Sequence, residues 1–475
     1  MMARTRIPKA LTLLSLLAGV LALPSAGAAD VYLQKAASGP APAPSGSNLT
    51  IEDIGTIHDR ASVGTAINSA GDVAGYSFFE GTIGDLEGTP ALPFLAHAVL
   101  YTDGILTDLG ALEGYGTCSP LGCQSRGTGI NESLWVVGEN DGDQGLMAML
   151  WLPKRVPGGV EGWNVLPPLV PDGPARATEV GDSGDIVGDA VVDGWVHRAV
   201  RWVLEPRGPV VTDLGTLRSD GTGFSWAHDV NALGQISGVA QDDSGLRKPF
   251  LYLPEPAYGL PAGMNDLAPD FADYVGAAFV NDRGEVACEI DMGVPCLWLP
   301  APAYGFPAGF SILPVDQQHL AAFFPSSISE AGQIAGQVYI VKSDVTRDYE
   351  MAAAVWRAGQ YRVLNEMLPP GSPWNLRDAT AIVRVGKTTL VTGHGIRSDV
   401  TDINGFPASH GFVLSVTCTG DLDEDGDVDA DDQAILMSSF GEDVPAGTSG
   451  DLDGDGDVDE TDIRLLARQI ERPCL

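Results

Sequence analysis

Basic residues are scarce in this 475-residue sequence: 27 Lys and Arg stand against 63 Asp and Glu, giving a net charge of −36. Nucleic acid and anionic membranes are bound through basic surface, so we expect neither as a partner. Long apolar runs are also lacking after residue 23, so we expect no membrane span in the mature chain. The sequence therefore indicates a strongly acidic protein that binds neither DNA nor lipid.

The single apolar run lies near the start, at Leu11–Leu23, and basic residues precede it. Ala26-Gly27-Ala28 follows as a small-residue cleavage site. This order predicts a secretory signal peptide over residues 1–28, cleaved after about Ala28. An uncleaved anchor is the alternative, but a run of this length is too short to span a bilayer. We therefore expect a secreted, extracellular protein.

Cysteine is sparse as well, with six residues, all outside the signal peptide. In an exported protein an even number of cysteines favours disulfides. A zinc site is the rival interpretation, but no pair has His or Cys partners at ligand spacing. Cys288 and Cys296 flank a hairpin loop in which Gly293 is expected in the left-handed conformation. Counting residues outward from this loop places the two cysteines opposite each other on paired strands. The predicted disulfides are Cys118–Cys123, Cys288–Cys296 and Cys418–Cys474.

Residues 29–48 are rich in Pro, Ala and Ser and read as a linker without a core of its own. Residues 49–417 repeat a hairpin motif, [I/V]-N-x-x-G-x-x-x-G, which is clearest at Ile67–Gly75 and Val230–Gly238. Asn and the first Gly suit a type I turn, and the second Gly, inside a strand, indicates close backbone approach. A degenerate seventh copy runs from Ile382 to Gly393. The other six copies end at Gly75, Gly138, Gly188, Gly238, Cys288 and Gly336.

Two further pieces recur with the hairpin: an apolar strand such as His97–Tyr101, and a D-L-G-x-L strand such as Asp108–Leu112. Units of about 50 residues indicate a solenoid, an array or a propeller. Each unit offers about four short strands and no convincing amphipathic helix, which is the content of one propeller blade. The predicted fold is therefore all-β over 49–417, a β-propeller with seven blades favoured. An open solenoid and a six-bladed ring are the alternatives.

The first D-L-G-like strand, Glu52–Ile57, comes before the first hairpin, so one unit is split between the two ends of the repeat region. We expect the N-terminal strand to complete the last blade beside His410–Thr417, which closes the ring and removes exposed strand edges.

These motifs resemble the secreted HAF-repeat family, which takes its name from a His-Ala-Phe tripeptide before a strand. His97-Ala98-Val99 and the hairpins with their D-L-G-x-L strands are the matching positions. The resemblance implies an extracellular repeat domain over about 49–417, with no catalytic residues to carry over. His97, His197 and His410 sit at matching repeat positions, which favours a structural role for them.

Two acidic loops, 421–432 and 451–462, share one register, with carboxylates at positions 1, 3, 5, 9 and 12 and Gly at position 6. A hard cation such as Ca²⁺ takes six to eight oxygens, and Gly allows the sharp turn around it. Position 7 supplies its backbone carbonyl. An acidic disordered tail is the alternative, but it would not repeat the register. The predicted calcium ligands are Asp421, Asp423, Asp425, Asp427, Asp429, Asp432, Asp451, Asp453, Asp455, Asp457, Asp459 and Asp462.

Helices are expected after these loops, at Gln433–Phe440 and Ile463–Ile470, but not before them. A duplicated loop with an exit helix resembles a dockerin module, here within residues 418–475. The resemblance implies two bound Ca²⁺ and a cohesin-like partner that contacts Ala430-Asp431 and Glu460-Thr461. For the core, we expect Val428 to pair with Val458 in a short strand. The remaining apolar contacts are expected between Ile435, Leu436, Phe440, Ile463, Leu466 and Ile470.

Motifs for catalysis are not evident. Gly386-Lys387-Thr388-Thr389 looks like the end of a P-loop, but the first Gly of that motif would fall at Ala381. The favoured interpretation is a secreted calcium-binding protein. Its propeller would bind a polysaccharide or a surface protein, and its dockerin-like module would attach it to an extracellular complex. The alternative is a polysaccharide-degrading enzyme, a glycoside hydrolase or lyase, which would need convergent carboxylates at the mouth of the propeller channel.

Overall fold

A computed structural model describes residues 47–80, 95–112, 123–142, 145–270, 275–290, 293–315, 320–343, 348–402, 405–426, 428–471 and 475. The predicted signal peptide (1–28) and nearly all of the predicted linker (29–48) lie outside these residues. The helices in the described part of the chain are all too short or too polar to cross a membrane.

Strands of the described residues form seven four-stranded antiparallel sheets, which we number as blades 1 to 7. Blade 1 contains β2 (Ser62–Ile67), β3 (Val73–Glu80), β4 (Leu95–Thr102) and β5 (Ile105–Gly110). Blade 2 contains β6 (Ser125–Ile130), β7 (Val136–Gly142), β8 (Gly145–Leu152) and β9 (Gly162–Val165). Blade 3 contains β10 (Ala175–Val180), β11 (Ile186–Asp193), β12 (Val196–Glu205) and β13 (Gly208–Asp213).

The remaining blades follow the same order along the chain. Blade 4 contains β14 (Ser225–Val230), β15 (Ile236–Gln241), β16 (Arg247–Leu253) and β17 (Gly263–Asp266). Blade 5 contains β18 (Val275–Val280), β19 (Val286–Ile290), β20 (Val294–Leu299) and β21 (Gly309–Ile312). Blade 6 contains β22 (Leu320–Ile328), β23 (Ile334–Ser343), β24 (Asp348–Arg357) and β25 (Gln360–Val363). Blade 7 contains β26 (Trp374–Val385), β27 (Thr388–Thr401), β28 (Pro407–Cys418) and β1 (Ser47–Gly55).

Blade 7 joins the two ends of the repeat region, because β1 pairs with β28 from Ser47 opposite Cys418 to Asp53 opposite Phe412. Blade 7 in turn contacts blade 1, where the Thr380 hydroxyl donates a hydrogen bond to the Gly64 carbonyl at 2.7 Å. Both the seven-bladed fold and the closing N-terminal strand predicted from the split repeat are therefore confirmed.

Apolar side chains fill the spaces between successive blades. Between blades 2 and 3, for example, Leu150, Leu166, Ile186 and Trp202 form one buried cluster, each at most 1% exposed. Each sheet therefore buries its two faces against its neighbours, which explains why the repeat units carry continuous apolar strands.

The second Gly of the hairpin motif lies where two strands approach closely. A Cβ atom placed on Gly188 would lie only 2.0 Å from the carbonyl oxygen of Arg176, opposite a β-bulge in β10. Blade 5 has Cys288 at this position and no bulge opposite it, because its register shift lies earlier, between Val275 and Ala277. The shifted bulge makes room for a side chain at the fifth copy.

Cys288 forms a disulfide with Cys296, its direct cross-strand partner, as the sequence predicts. Cys123 and Cys418 are also disulfide-bonded. Their predicted partners, Cys118 and Cys474, lie outside the described residues, so those two pairings remain predictions. The P-loop-like Gly386-Lys387 is simply the two-residue turn between β26 and β27.

Beyond the propeller, two helices follow the acidic loops: α1 (Ala430–Ser438) and α2 (Glu460–Glu471). Each begins three residues earlier than predicted, because the position-9 carboxylate caps it. Asp429 Oδ1 accepts the Asp431 N–H at 2.8 Å, and Asp459 Oδ1 accepts the Thr461 N–H at 2.6 Å.

The small core of this segment differs from the predicted one. It consists of Cys418, Val428, Leu436, Val458 and Leu466, with Ile463 and three other residues packed at its edge. Phe440 and Ile470 were expected inside but are 43% and 40% exposed. Phe440 lies past the end of α1 and Ile470 lies in the last turn of α2, so both extend beyond this core.

The predicted strand pairing of Val428 with Val458 is also wrong. Val458 pairs instead with the segment before the second loop: its N–H donates to Glu442 O at 3.1 Å, and its carbonyl accepts the Gly441 N–H at 2.8 Å. This pairing satisfies the backbone of loop 2 within its own half of the segment.

Candidate functional site

The carboxylate at position 12 holds each acidic loop together. Asp432 Oδ2 accepts the Asp429 N–H at 2.7 Å, and its other oxygen accepts N–H groups near the start of the loop. Asp462 makes the same contacts in loop 2, with the Asp459 N–H at 2.8 Å. Both position-12 side chains are 1% exposed. Each loop is thus wrapped around its own closing carboxylate.

Three carboxylates converge in each loop, with one oxygen of each within 4.8 Å of the others. In loop 1 they are Asp421, Asp423 and Asp432, and in loop 2 they are Asp451, Asp453 and Asp462. A further group in loop 2 joins Asp457 and Asp459 to Asp462. Among the described residues, Asp425, Asp429 and Asp455 belong to no such group, and Asp427 lies outside the described residues.

This donor set fits a hard cation. Asp421 is fully buried, and its Oδ1 has no hydrogen-bond partner among the described residues. A buried carboxylate oxygen without a partner is costly, and a metal ion would satisfy it. Burial raises the pKa of Asp421 to about 6, although the Arg384 guanidinium acts in the opposite direction.

Arg384 of β26 is a residue that the sequence did not indicate. Its Nη2 forms an ion pair with Asp421 Oδ2, and the two side chains are 5% and 0% exposed. Nearby, the Gln333 side chain donates a hydrogen bond to the Leu475 carbonyl, and Leu475 is 1% exposed. The acidic segment is therefore fixed to blades 6 and 7 of the propeller. No sequence motif marks these contacts.

The propeller encloses a central cavity of about 260 Å³. Threonines at one repeat position line it and bridge consecutive blades: Thr128 donates to Ala177 O at 2.9 Å, and Thr178 donates to Ala227 O at 3.1 Å. The complete lining comprises Thr65, Thr128, Thr178, Glu179, His228, Asp229, Ala277, Phe279, Ser326, Ser327, Thr380 and Ala381.

Two carboxylates of neighbouring blades lie in this channel. Burial and the nearby Asp229 raise the pKa of Glu179 well above its ordinary value. Burial likewise raises the pKa of Asp229 to about 6. Both also accept backbone N–H groups, with Asp229 Oδ2 receiving the Val280 N–H of the next blade at 3.0 Å. These bonds give the two carboxylates a role in holding blades together.

A set of cross-strand pairs lies beside the bulges, at the end of the channel where the first strand of each blade begins; we call it the mouth ring. Two of its carboxylates form ion pairs within their own blades: Glu139 with Arg126 at 3.3 Å, and Asp189 with Arg176 at 2.8 Å. The ring consists of Val63–Tyr76, Arg126–Glu139, Arg176–Asp189, Trp226–Val239, Ala277–Glu289, Phe324–Gln337 and Asp378–His394.

Some polar atoms of the mouth ring are buried yet lack a hydrogen-bond partner among the described residues: Trp226 Nε1, Asp378 Oδ1 and His394 Nδ1. Burial raises the pKa of Asp378 and lowers that of His394. Arg126 also lies over the ring of Tyr76, with its guanidinium carbon 5.6 Å from the centroid. The ring thus combines aromatic side chains with buried polar atoms that lack a partner among the described residues.

The histidines behave only partly as predicted. The N–H groups of Ala98, Ala199 and Gly411 each donate to a serine hydroxyl at 2.9 Å, which makes these three positions equivalent. The preceding residues are His97, Arg198 and His410, so Arg198 and not His197 occupies the matching position. His97 and His410 each pair with the Asp of the D-L-G-like strand, Asp108 at 3.0 Å and Asp53 at 2.7 Å.

Residues 419–471 match the family model of the dockerin type I domain, and we call them the dockerin segment. Domains of this family bind calcium and cohesins. The match covers the two acidic loops and both helices, so the chain combines a seven-bladed propeller with a dockerin type I domain. No curated protein sequence matches the chain.

Solved structures show only distant likeness. One titled YCF48 bound to D1 peptide is 10% identical, covers 80% of this chain and 99% of its own, and has a TM-score of 0.39. YCF48 from Cyanidioschyzon merolae is 9% identical over 78% and 98%, with a TM-score of 0.36. The β-propeller domain of the Trilobed protease from Pyrococcus furiosus is 9% identical over 66% and 99%, with a TM-score of 0.34. The fold assignment rests on the strand pairing described above.

Proposed function

We propose that the protein is a secreted calcium-binding protein, exported by the signal peptide at 1–28. Its dockerin segment attaches it to a cohesin-bearing extracellular or cell-surface complex, and its propeller is the binding or scaffold module. The observation that supports this most is the pair of matching loops, each with carboxylates converging on a buried position-12 Asp. Such an arrangement is typical of Ca²⁺ sites, and we expect two ions per chain from the twelve predicted ligands.

The cohesin-facing residues predicted by the resemblance are accessible. Ala430, Asp431, Glu460 and Thr461 are all exposed at the starts of the two helices. Because Asp429 and Asp459 both cap these helices and belong to the calcium loops, ion binding should fix the orientation of the contact residues. Cohesin binding should therefore require Ca²⁺.

A binding experiment tests the attachment. The full chain is passed over immobilised type I cohesins in Ca²⁺ and in excess chelator. We expect binding in Ca²⁺ alone and a loss of affinity of at least about tenfold when Asp431 and Thr461 are both replaced by Arg, because a bulky cation then occupies each helix start. Replacing exposed Leu233 of the propeller with Ala is the matched control. Equal binding in chelator would contradict the proposal.

The mouth ring is our proposed binding surface of the propeller, and the repeat region is proposed to belong to the HAF-repeat family. Aromatic side chains beside polar groups suit a neutral polysaccharide segment, and a surface protein is the alternative partner. Trp226→Ala should abolish retention of the chain on the polysaccharide that it recognises. Leu233→Ala, in the hairpin turn at the opposite end of the channel, should leave retention unchanged.

A second candidate, a polysaccharide-degrading enzyme, is favoured by one observation: Glu179 and Asp229 are neighbouring channel carboxylates, and both have a raised pKa. A carboxyl that stays protonated beside an ionised one is the arrangement that glycosidic bond cleavage needs. An assay of reducing ends released from a panel of plant polysaccharides tests this candidate. Activity that is lost in both Glu179→Gln and Asp229→Asn, while both variants melt like the wild type, would establish it, and activity unchanged in both would exclude these residues.

A further inference from the structure

The two calcium loops are alike in sequence but differ in what surrounds their first carboxylate. In loop 2, Asp451 accepts N–H groups from Gly447, Gly454 and Gly456 at 3.0, 2.7 and 3.0 Å, all within the dockerin segment. In loop 1, Asp421 forms its ion pair with Arg384, which belongs to the propeller. Within the described residues, a buried ion pair with the propeller is therefore found in the first loop and not in the second.

Loop 1 also lies directly against the propeller. A Cβ atom placed on Gly426 would be 2.8 Å from the Ala331 Cβ and 2.9 Å from Arg357 Nη2, both in blade 6. At the equivalent Gly456 the nearest atom is Val444 O of the same segment, at 3.7 Å. The turn at position 6 is thus packed on the propeller in loop 1 and open in loop 2.

A chain of polar contacts continues from Arg384 into the propeller. Its Nη1 donates to Thr389 Oγ1 at 3.4 Å, and Gln333 Nε2 donates to the same hydroxyl at 3.1 Å. Gln333 also holds the Leu475 carbonyl, and the Leu475 side chain packs with Val391 and other apolar residues of blades 6 and 7. Arg384 is therefore held in place by groups outside the dockerin segment.

The two oxygens of Asp421 differ in their surroundings. Arg384 occupies Oδ2, whereas Oδ1 is buried without a partner among the described residues. A carboxylate can ligate Ca²⁺ through one oxygen, and the partner of the other oxygen then fixes its orientation. The ion pair with Arg384 is consequently compatible with calcium binding at Oδ1.

We propose that Arg384 is an outer-shell residue of the first calcium site, so that Ca²⁺ in loop 1 fastens the dockerin segment to blades 6 and 7. Loop 2 binds its ion without help from the propeller. This inference rests on the calcium binding proposed above. By reciprocity, docking on the propeller strengthens ion binding in loop 1 by the same factor by which the ion strengthens docking.

The test measures each loop separately in the full chain by calorimetric titration with Ca²⁺. Asp462→Asn disables loop 2 and leaves loop 1 to be measured, and Asp432→Asn does the reverse. Adding Arg384→Gln should weaken loop 1 by about 10- to 100-fold, the usual effect of losing an outer-shell partner. Loop 2 should change by less than about twofold, since distant sites behave independently.

Arg201→Gln is the matched control, because Arg201 pairs with Asp185 in blade 3 and should affect neither loop. Arg384→Lys keeps the charge and replaces Arg384→Gln in the experiment if that variant fails to fold. The affinity of loop 1 for Ca²⁺ in Arg384→Lys should lie between those of the wild type and Arg384→Gln. Unchanged or tighter binding in loop 1 would overturn the inference, the latter showing that Arg384 competes with the ion. No Ca²⁺ uptake by the wild-type chain would instead overturn the proposed function as well.

Discussion

Thr380 in blade 7 donates a hydrogen bond to the carbonyl of Gly64 in blade 1, with 2.7 Å between Oγ1 and O. The same bond joins consecutive blades elsewhere, from Thr65 to Gly127 at 2.9 Å and from Thr178 to Ala227 at 3.1 Å. The junction that closes the ring is therefore built like the junctions within it, and it should contribute equally to stability.

Replacing Thr380 with Val keeps the shape but removes this bond and leaves the Gly64 carbonyl without its donor. We expect a loss of about 1 kcal/mol in the free energy of unfolding, measured by urea denaturation. Thr178→Val is the control at an ordinary junction and should cost the same amount. A loss in Thr178→Val with none in Thr380→Val would show that the ring is not closed at this junction.

Deleting residues 49–57 removes most of β1 and with it Asp53, which pairs with Arg397 at 2.6 Å and with His410 at 2.7 Å. Blade 7 would lose its fourth strand and expose the edge of β28. The whole propeller should therefore melt at a lower temperature, as followed by calorimetry. Deletion of residues 29–46, from the predicted linker, should leave the melting temperature unchanged; equal melting of both deletion variants would contradict the closure.

Glu330 should make stability depend on pH. Burial and the neighbouring Asp282 raise its pKa to about 7 in the folded protein, although the Asp282 N–H also bonds to it and lowers the value. A raised folded pKa contributes stability below the unfolded pKa, and this contribution is lost as pH rises through the folded value. Between about pH 4.5 and 7, wild type should thus lose stability relative to Glu330→Gln.

Between about pH 4.5 and pH 7, the free energy of unfolding of the wild type should fall by about 1–2 kcal/mol relative to that of Glu330→Gln. This is less than the full pKa shift would give, because Glu330 is partly exposed. Urea denaturation at half-unit pH intervals measures it. Glu132→Gln, at an equivalent exposed turn position, is the comparison. Parallel pH curves for wild type and Glu330→Gln would refute the assignment.

The Cys288–Cys296 disulfide closes a short loop, so its removal should have a modest cost. Replacing both cysteines with Ala should lower the free energy of unfolding by about 2 kcal/mol, mostly by releasing the unfolded chain. Guanidinium denaturation of the oxidised wild type and the double variant measures the difference. Identical midpoints would mean that the cross-link adds nothing to the fifth blade.

The sequence revealed most of the fold because each blade repeats the same local bonds. Gly188 sits opposite a bulge, and Asn231 caps its turn through the N–H groups of Leu233 and Gln235, at 3.1 and 2.9 Å. Local chemistry of this kind recurs with a period that can be counted. The split repeat then predicted the position of β1, because the strands at the two ends of the repeat region gain their missing partner when they pair with each other.

Spacing also identified the acidic loops but not their surroundings. Arg384 lies 37 residues before Asp421, and Gln333 lies 142 residues before Leu475, so no local motif joins these partners. Such contacts depend on how one domain packs on another. The mistaken core positions of Phe440 and Ile470 have a related cause: the segment is so small that the loop valines fill its centre.

The most direct test of the account is the number of calcium ions that the full chain binds, counted by equilibrium dialysis against buffered Ca²⁺. We predict two ions for the wild-type chain, one each for Asp432→Asn and Asp462→Asn, and none for the double variant. Helix content measured by circular dichroism should rise with ion uptake in the wild type. No bound calcium in the wild type, or two ions in the double variant, would contradict the central claim that these carboxylates form metal sites.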